Sequence, residues 1–257
     1  MSKSTHFIGH PLLGQLLSLI DQVDVHRISK KHGGEHYVKH FDAWHHLVTM
    51  LYAIIMRFDS LREIQLSMTA ESRKLSHLGL TKIPKRSTLS DANVRRSEVI
   101  FGELYATLYD KHKGVLSSDS RNRGSTPSWL RKLKIMDSTT ISLFSNLVFK
   151  GVGRNPKRGK KKLISLLTND FEMPQQDIID IYRKRWMIET LFKQLKQNFP
   201  LRYFYGESAN AIKIQVWCTL IANLLLMLIK RSVRRSWSFS GLATMIRILM
   251  MYYVNYK

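Results

Sequence analysis

The sequence predicts an α+β fold: a helical N-terminal domain, then a mixed α/β core that ends in a helical C-terminal part. Three observations predict it. Apolar residues recur at helical spacing through the first 116 positions, a β-branched and apolar run occupies the middle, and helical periodicity returns from Pro174 onward.

In the first section, Leu12-Leu13, Leu16-Leu17 and Ile20 repeat every three to four residues, as do Trp44, Leu47-Val48, Leu51-Tyr52 and Ile55. Ser60-Leu61-Arg62-Glu63 has the Ser-x-x-Glu form in which a hydroxyl and a carboxylate each satisfy an orphan N–H at a helix start. A basic loop, Thr81-Lys82-Ile83-Pro84-Lys85-Arg86, then leads into Ser87-Thr88-Leu89-Ser90, which opens a helix expected to run through Val94, Ile100, Leu104 and Leu108. With Asn93, Arg95 and Arg96 on its exposed side, this helix and the Lys85-Arg86 loop fit DNA phosphates, or an ordinary solvated face.

The stretch 117–128, rich in Ser, Arg, Gly and Asn, reads as a linker. It separates a domain at 1–116 from one at 129–257. Leu133 to Met136, Thr139 to Phe149 and Leu163 to Thr168 suit strands, and helix is expected from Pro174 to about Asn198 and through the apolar C-terminal third. Ile214 to Ile229 is apolar but interrupted by Gln215, Thr219 and Asn223, which reads as a buried helix rather than a membrane span.

Charge narrows the partners. The 257 residues carry 41 Lys and Arg against 19 Asp and Glu, a formal charge of +22. Such a field attracts a polyanion, and because the cations are spread along the whole chain, nucleic acid suits them better than a membrane surface. The single cysteine, Cys218, excludes internal disulfides and fits a reducing cytoplasm, and the polar N-terminal start shows no signal peptide.

The helix after Pro174 places Tyr182, Arg185, Glu189 and Lys196 at offsets of 0, 3, 7 and 14. At about 100° per residue they fall within an arc of roughly 60° on one helix face. Arg185 and Glu189 also fit a plain i, i+4 surface pair. Asp137 ends an apolar segment beside Ser138-Thr139-Thr140. It fits either a carboxylate facing a cleft, able to share a hard cation with Glu189, or a turn-closing strand end.

The spacing Tyr182-x2-Arg185-x3-Glu189-x6-Lys196 resembles the Tyr-Arg-Glu-Lys signature of transposases in insertion-sequence family four, of the Asp-Asp-Glu class. Ile135-Met136-Asp137-Ser138-Thr139 is similar to that family's first aspartate motif. Tyr203-Phe204-Tyr205-Gly206, Ser208-Ala209-Asn210-Ala211 and Gln215-Val216-Trp217 are similar to the segment after the signature in those proteins. His10-Pro11-Leu12 and Ser87-Thr88-Leu89-Ser90-Asp91-Ala92-Asn93 resemble the helical domain that precedes the catalytic core in a subset of members.

The resemblance implies an RNase H-like core and metal-dependent cleavage at element ends, followed by strand transfer into target DNA. It implies Asp137 and Glu189 as ligands of Mg²⁺ or Mn²⁺, and Tyr182, Arg185, Lys193 and Lys196 as DNA-binding residues. Lys157 and Arg158, in the basic run between the strands, join Lys85, Arg86 and Arg95 as further DNA contacts. Element ends, target DNA and a second copy of the chain on DNA are the expected partners, in the bacterial cytoplasm at the nucleoid.

One departure stands out. Members carry a second aspartate on a later strand, whereas no Asp or Glu lies between Asp137 and Asp170 here. The basic run through Lys162 passes straight to Leu163, which reads as an internal deletion, with loss of the end beyond Lys257 also expected. Asp170 belongs by this resemblance to a different strand. The expected function is therefore a DNA transposase defective in this chain, the alternative being an inactive DNA-binding remnant or inhibitor.

Overall fold

The computed structural model describes residues 11–116 and 174–252. Two compact units divide the chain: Met1–Ser118 with Gln194–Lys257, and Asp119–Lys193. Ten helices lie among the described residues. Seven lie at or before residue 116: α1 (Leu12–Leu17), α2 (Gln22–Lys31), α3 (Ala43–Met56), α4 (Leu61–Ala70), α5 (Ser72–Ser76), α6 (Arg86–Arg95) and α7 (Val99–Leu116). Three lie after residue 173: α8 (Gln175–Asn198), α9 (Ala209–Ser232) and α10 (Phe239–Leu249).

This corrects the expected fold class. Every element among the described residues is a helix, so the mixed α/β, RNase H-like core is not what they form. The physical reason is periodicity: from Gln175 on, apolar side chains recur at helical spacing and find partners on other helices. The strands expected at Leu133–Met136, Thr139–Phe149 and Leu163–Thr168 lie outside the described residues.

The first unit is built around α3. All of Ala43–Ile55 except His45 is buried, and a helix apolar all round has to be a central one. α2, α9 and α10 pack on it, and α7 packs on both α2 and α9. Helices from both ends of the chain thus share one core. By length and composition α9 could cross a membrane, but 67% of its apolar window is buried against neighbouring helices. Buried Ile214, Cys218, Ile221, Leu225 and Ile229 mark the face it commits to that core.

α7 and α9 run parallel. Glu98 meets Lys213, Gly102 lies under the Trp217 ring, and Leu116 accepts from Arg231, each pair 115 residues apart along the chain. A methyl group on Gly102 would stand 3.1 Å from the Trp217 ring, so the absence of a side chain there permits the approach. Trp217 Nε1 donates to Glu98 Oε2 at 2.8 Å and fixes the register.

Local signals act where expected. Ser60 Oγ accepts from Glu63 N at 3.3 Å, and Glu63 Oε2 accepts in return from Asp59 N at 2.9 Å, one residue before the cap. Asp42 opens α3 by accepting from His45 N at 2.8 Å.

The helix expected to run unbroken from Ser87 past Leu108 is two helices. Arg96 is extended (φ −76°, ψ 125°) and α7 starts afresh at Val99. Asn210, at the start of α9, supplies the break. Its Nδ2 donates to the carbonyls of Asn93 and Arg96 at 2.8 Å and of Val94 at 3.3 Å, while its Oδ1 accepts from Glu98 N at 3.1 Å.

Candidate nucleic-acid interface

The candidate residues that are described lie on two separate stretches, each taken by itself. The first is α8, one continuous helix that carries Tyr182, Arg185, Glu189, Lys193 and Lys196. From position 182 to 196 it rises roughly 21 Å, the length of several phosphates along a nucleic-acid strand. Glu189 is half-buried, and Lys193 and Lys196 are exposed. The side chains of Tyr182 and Arg185 are outside the described ones, as are Asp137, Lys157 and Arg158 altogether.

Of the expected metal ligands, only Glu189 is thus described. Among the described residues no group of three His, Cys, Asp or Glu could hold a metal ion. One carboxylate alone is too small a donor set for a hard divalent cation.

The second stretch is α6 and the loop before it. Lys85 is the N-cap residue and Arg86 the first helical residue; both are exposed. Arg86 N donates to Gln65 Oε1 of α4 at 3.1 Å, which seats the start of α6 on that helix. Lys82 Nζ lies 3.3 Å from His40 Nε2. The N-terminal end of a helix carries partial positive charge, and Lys82, Lys85 and Arg86, all exposed, precede or open this one. Arg95 is 78% exposed and pairs with Asp91 at 3.2 Å, an i, i+4 pair that a phosphate could displace at little cost.

Asn93 and Arg96 are a correction. Expected on the exposed side of α6, both are buried. His46 Nε2 donates to Asn93 Oδ1 at 2.9 Å, and Arg96 donates to the carbonyls of Gly34 at 3.2 Å and Phe41 at 2.8 Å. Burial lowers the Arg96 pKa, offset by the nearby charges of Glu35 and Asp42. Burial, together with the Arg96 charge, pushes His46 down to about 3. Asn93 thus ties α6 to α3, and Arg96 ties the residue after α6 to the segment between α2 and α3; both side chains are spent inside the protein.

His45, beside it, behaves oppositely. Its Nδ1 donates to Asp42 Oδ1 at 2.6 Å, which raises the imidazole pKa. Burial pushes the Asp42 carboxyl up, but the side-chain and backbone hydrogen bonds from His45 outweigh it and leave it lowered.

One exposed basic cluster escaped the motif reading. Lys230, Arg231, Arg234 and Arg235 lie within six residues at the end of α9, and the signal was simply their density.

Residues 8–81, which include α1 to α5, match a family described as a Domain of unknown function (DUF4372). A protein of Sinorhizobium fredii named as a transposase, y4zB, is 35% identical over 105 residues, 38% of this chain and 28% of that protein. The transposase named for insertion sequence element IS4SA of Synechocystis is 43% identical over 54 residues, 21% of this chain and 16% of the relative. That named for element IS5377 of Geobacillus stearothermophilus is 33% identical over 63 residues, 24% of this chain and 17% of the relative. The chain is similar in sequence to transposases of insertion sequence elements. It spans less than a third of the length of these relatives. No solved structure matches it.

Proposed function

We propose that this chain is a transposase-derived protein that binds the DNA of an insertion element. The similarity to proteins named as transposases carries the reading. The formal charge of +22 and the exposed Lys85, Arg86, Lys193 and Lys196 support it. In this reading the α6 loop and the α8 stripe hold DNA phosphates, with Tyr182 and Arg185 completing the stripe. Arg95, Lys157 and Arg158 add contacts. Binding takes place in the bacterial cytoplasm, and two copies act together on element ends and target DNA.

The finer assignment is an enzyme of the Asp-Asp-Glu class of insertion-sequence family four, shortened by an internal deletion. Asp137 and Glu189 are the residues that would hold Mg²⁺ or Mn²⁺, which when bound would activate water and a DNA 3′ hydroxyl. The absence of any Asp or Glu between Asp137 and Asp170 favours a second reading beside it, a DNA-binding remnant without cleavage. Two metals about 3.5–4 Å apart need more carboxylates than those two.

Cleavage of the element's own end sequence in Mg²⁺ or Mn²⁺, by the full chain and by Glu189→Ala, separates the readings. Nicking that Glu189→Ala abolishes supports the enzyme. Specific binding without nicking supports the remnant. Equal, weak binding to end and random sequences at every salt concentration would overturn both.

A further inference from the structure

From Ser208 to Lys257 the chain holds Lys213, Lys230, Arg231, Arg234, Arg235, Arg247 and Lys257, and not one Asp or Glu. Four of these cations fall within six residues where α9 ends, and all four are exposed. Part of that density has a structural use. Because α7 and α9 run parallel, their C-terminal ends, each with partial negative charge, lie at the same end of the bundle. Lys230 and Arg231 sit in the last turn of α9, where cations are favourable, and Arg231 Nη2 donates to Leu116 O at the end of α7.

Arg234 and Arg235 are not used in this way. They lie beyond the helix, and among the described residues neither pairs with a carboxylate. Arg235 holds its guanidinium 4.9 Å from the centroid of the half-buried Trp237 ring. A guanidinium stacked on an indole is restrained in orientation and loses little freedom when its edge donors take two phosphate oxygens. Lys111 and Lys113 stand on the last turns of α7 at the same end, with Lys113 paired to Asp110 at 3.0 Å. The N-terminal end of α10, capped by Ser238, comes three residues after Arg235 and adds a favourable dipole.

We infer that the turn between α9 and α10 is a docking surface for the sugar–phosphate backbone of duplex DNA, with Arg234 and Arg235 as its principal contacts. The inference rests on the reading of this chain as a DNA-binding protein, but on residues separate from α6 and α8. Duplex DNA fits because it presents one negative charge per about 1.7 Å of axis, dense enough to engage several cations of so short a segment together. Recognition here is independent of sequence, since guanidinium-to-phosphate contacts fix position without reading bases. An anionic membrane is the rival partner. It is less suited, because the apolar residues of α9 next to the patch are buried in the bundle.

The test uses the full chain and a random-sequence DNA duplex, with affinity measured by fluorescence anisotropy across a salt series. The variants are Arg234→Gln/Arg235→Gln, the charge-retaining Arg234→Lys/Arg235→Lys, and Lys85→Gln/Arg86→Gln. Removal of two phosphate contacts lowers the slope of log affinity against log salt by about 2, and the lysine variant restores most of it. Thermal midpoints of all variants should match the parent, since these side chains are exposed.

A slope unchanged in Arg234→Gln/Arg235→Gln but reduced in Lys85→Gln/Arg86→Gln overturns this inference and leaves the α6 reading standing. The converse supports the inference and removes α6. If the glutamine variant keeps its DNA slope and instead loses co-sedimentation with phosphatidylserine vesicles, the surface is a membrane contact and the inference is wrong.

Discussion

Asn210 Nδ2 donates to the Arg96 carbonyl at 2.8 Å, joining residues 114 positions apart and stopping a helix the local sequence would have continued. The same amide satisfies Asn93 O and Val94 O and accepts from Glu98 N. Without it, the last carbonyls of α6 lose their capping partner. Asn210→Ala should therefore destabilise the protein by about 2–3 kcal/mol, read from the urea midpoint at unchanged slope. An unaltered midpoint would mean that α6 ends for another reason.

Gln215 is buried without exposure and serves the chain leaving α8. Its Nε2 donates to Pro200 O at 3.1 Å and Tyr203 O at 2.8 Å, and its Oε1 accepts from Tyr205 N at 2.9 Å. The Tyr205 hydroxyl in turn donates to Phe58 O at 2.8 Å. Gln215→Leu keeps the volume and takes the partner from two buried main-chain groups and the part-buried Tyr203 carbonyl, so a loss of about 2–3 kcal/mol is expected. Tyr205→Phe should cost about 1 kcal/mol by the same measurement.

Arg247 closes two helices from a third. Nε donates to Ile55 O at 2.9 Å near the end of α3, and Nη2 donates to Asn198 O at 3.4 Å at the end of α8. Burial lowers its pKa, and the nearby Arg57 charge lowers it further. Arg247→Met retains the stem and removes both caps; chemical denaturation should show a loss of about 1–2 kcal/mol. Equal stability would make those contacts incidental.

His46 gives the protein an acid-sensitive element. Its folded pKa of about 3 lies below the ordinary 6.5, so between these values the unfolded chain binds the extra proton. The stability it contributes is complete above 6.5 and is lost as pH falls toward 3. From pH 7 to pH 5 this amounts to about 2 kcal/mol from one group. Denaturation at both pH values should show the parent losing about that much more than His46→Gln, which keeps a donor toward Asn93. Parallel losses in the two would refute the assignment. His45, with its raised pKa, contributes in the opposite sense, its stability being present at low pH and lost as pH rises through the folded value.

How much of this could be read beforehand depends on the distance over which each feature is decided. The Ser60–Glu63 cap and the burial of α3 come from neighbouring residues, and the sequence displays both. The α6–α7 break depends on Asn210 in another helix, and the burial of Arg96 depends on carbonyls of Gly34 and Phe41 upstream of α3. A helical wheel of α6 contains none of those groups, so it places Asn93 and Arg96 outward. The one-face stripe of α8 is legible because spacing alone creates it. Its pairing with Asp137 is a tertiary question beyond the described residues. The α+β expectation arose from β-branched runs also outside them, while the helices around α3 are what the described side chains support.

The parallel course of α7 and α9 carries one more consequence. Chain leaving α7 at Leu116 must come back to α9 at Ala209, roughly 27 Å away at the opposite end of α7. The bundle, however, is assembled from the stretches before and after this excursion. It behaves as a clasp whose two jaws come from different halves of the polypeptide. Cutting the intervening chain at an engineered protease site should leave two fragments that co-purify, and residues could be added or removed between the jaws without opening the clasp.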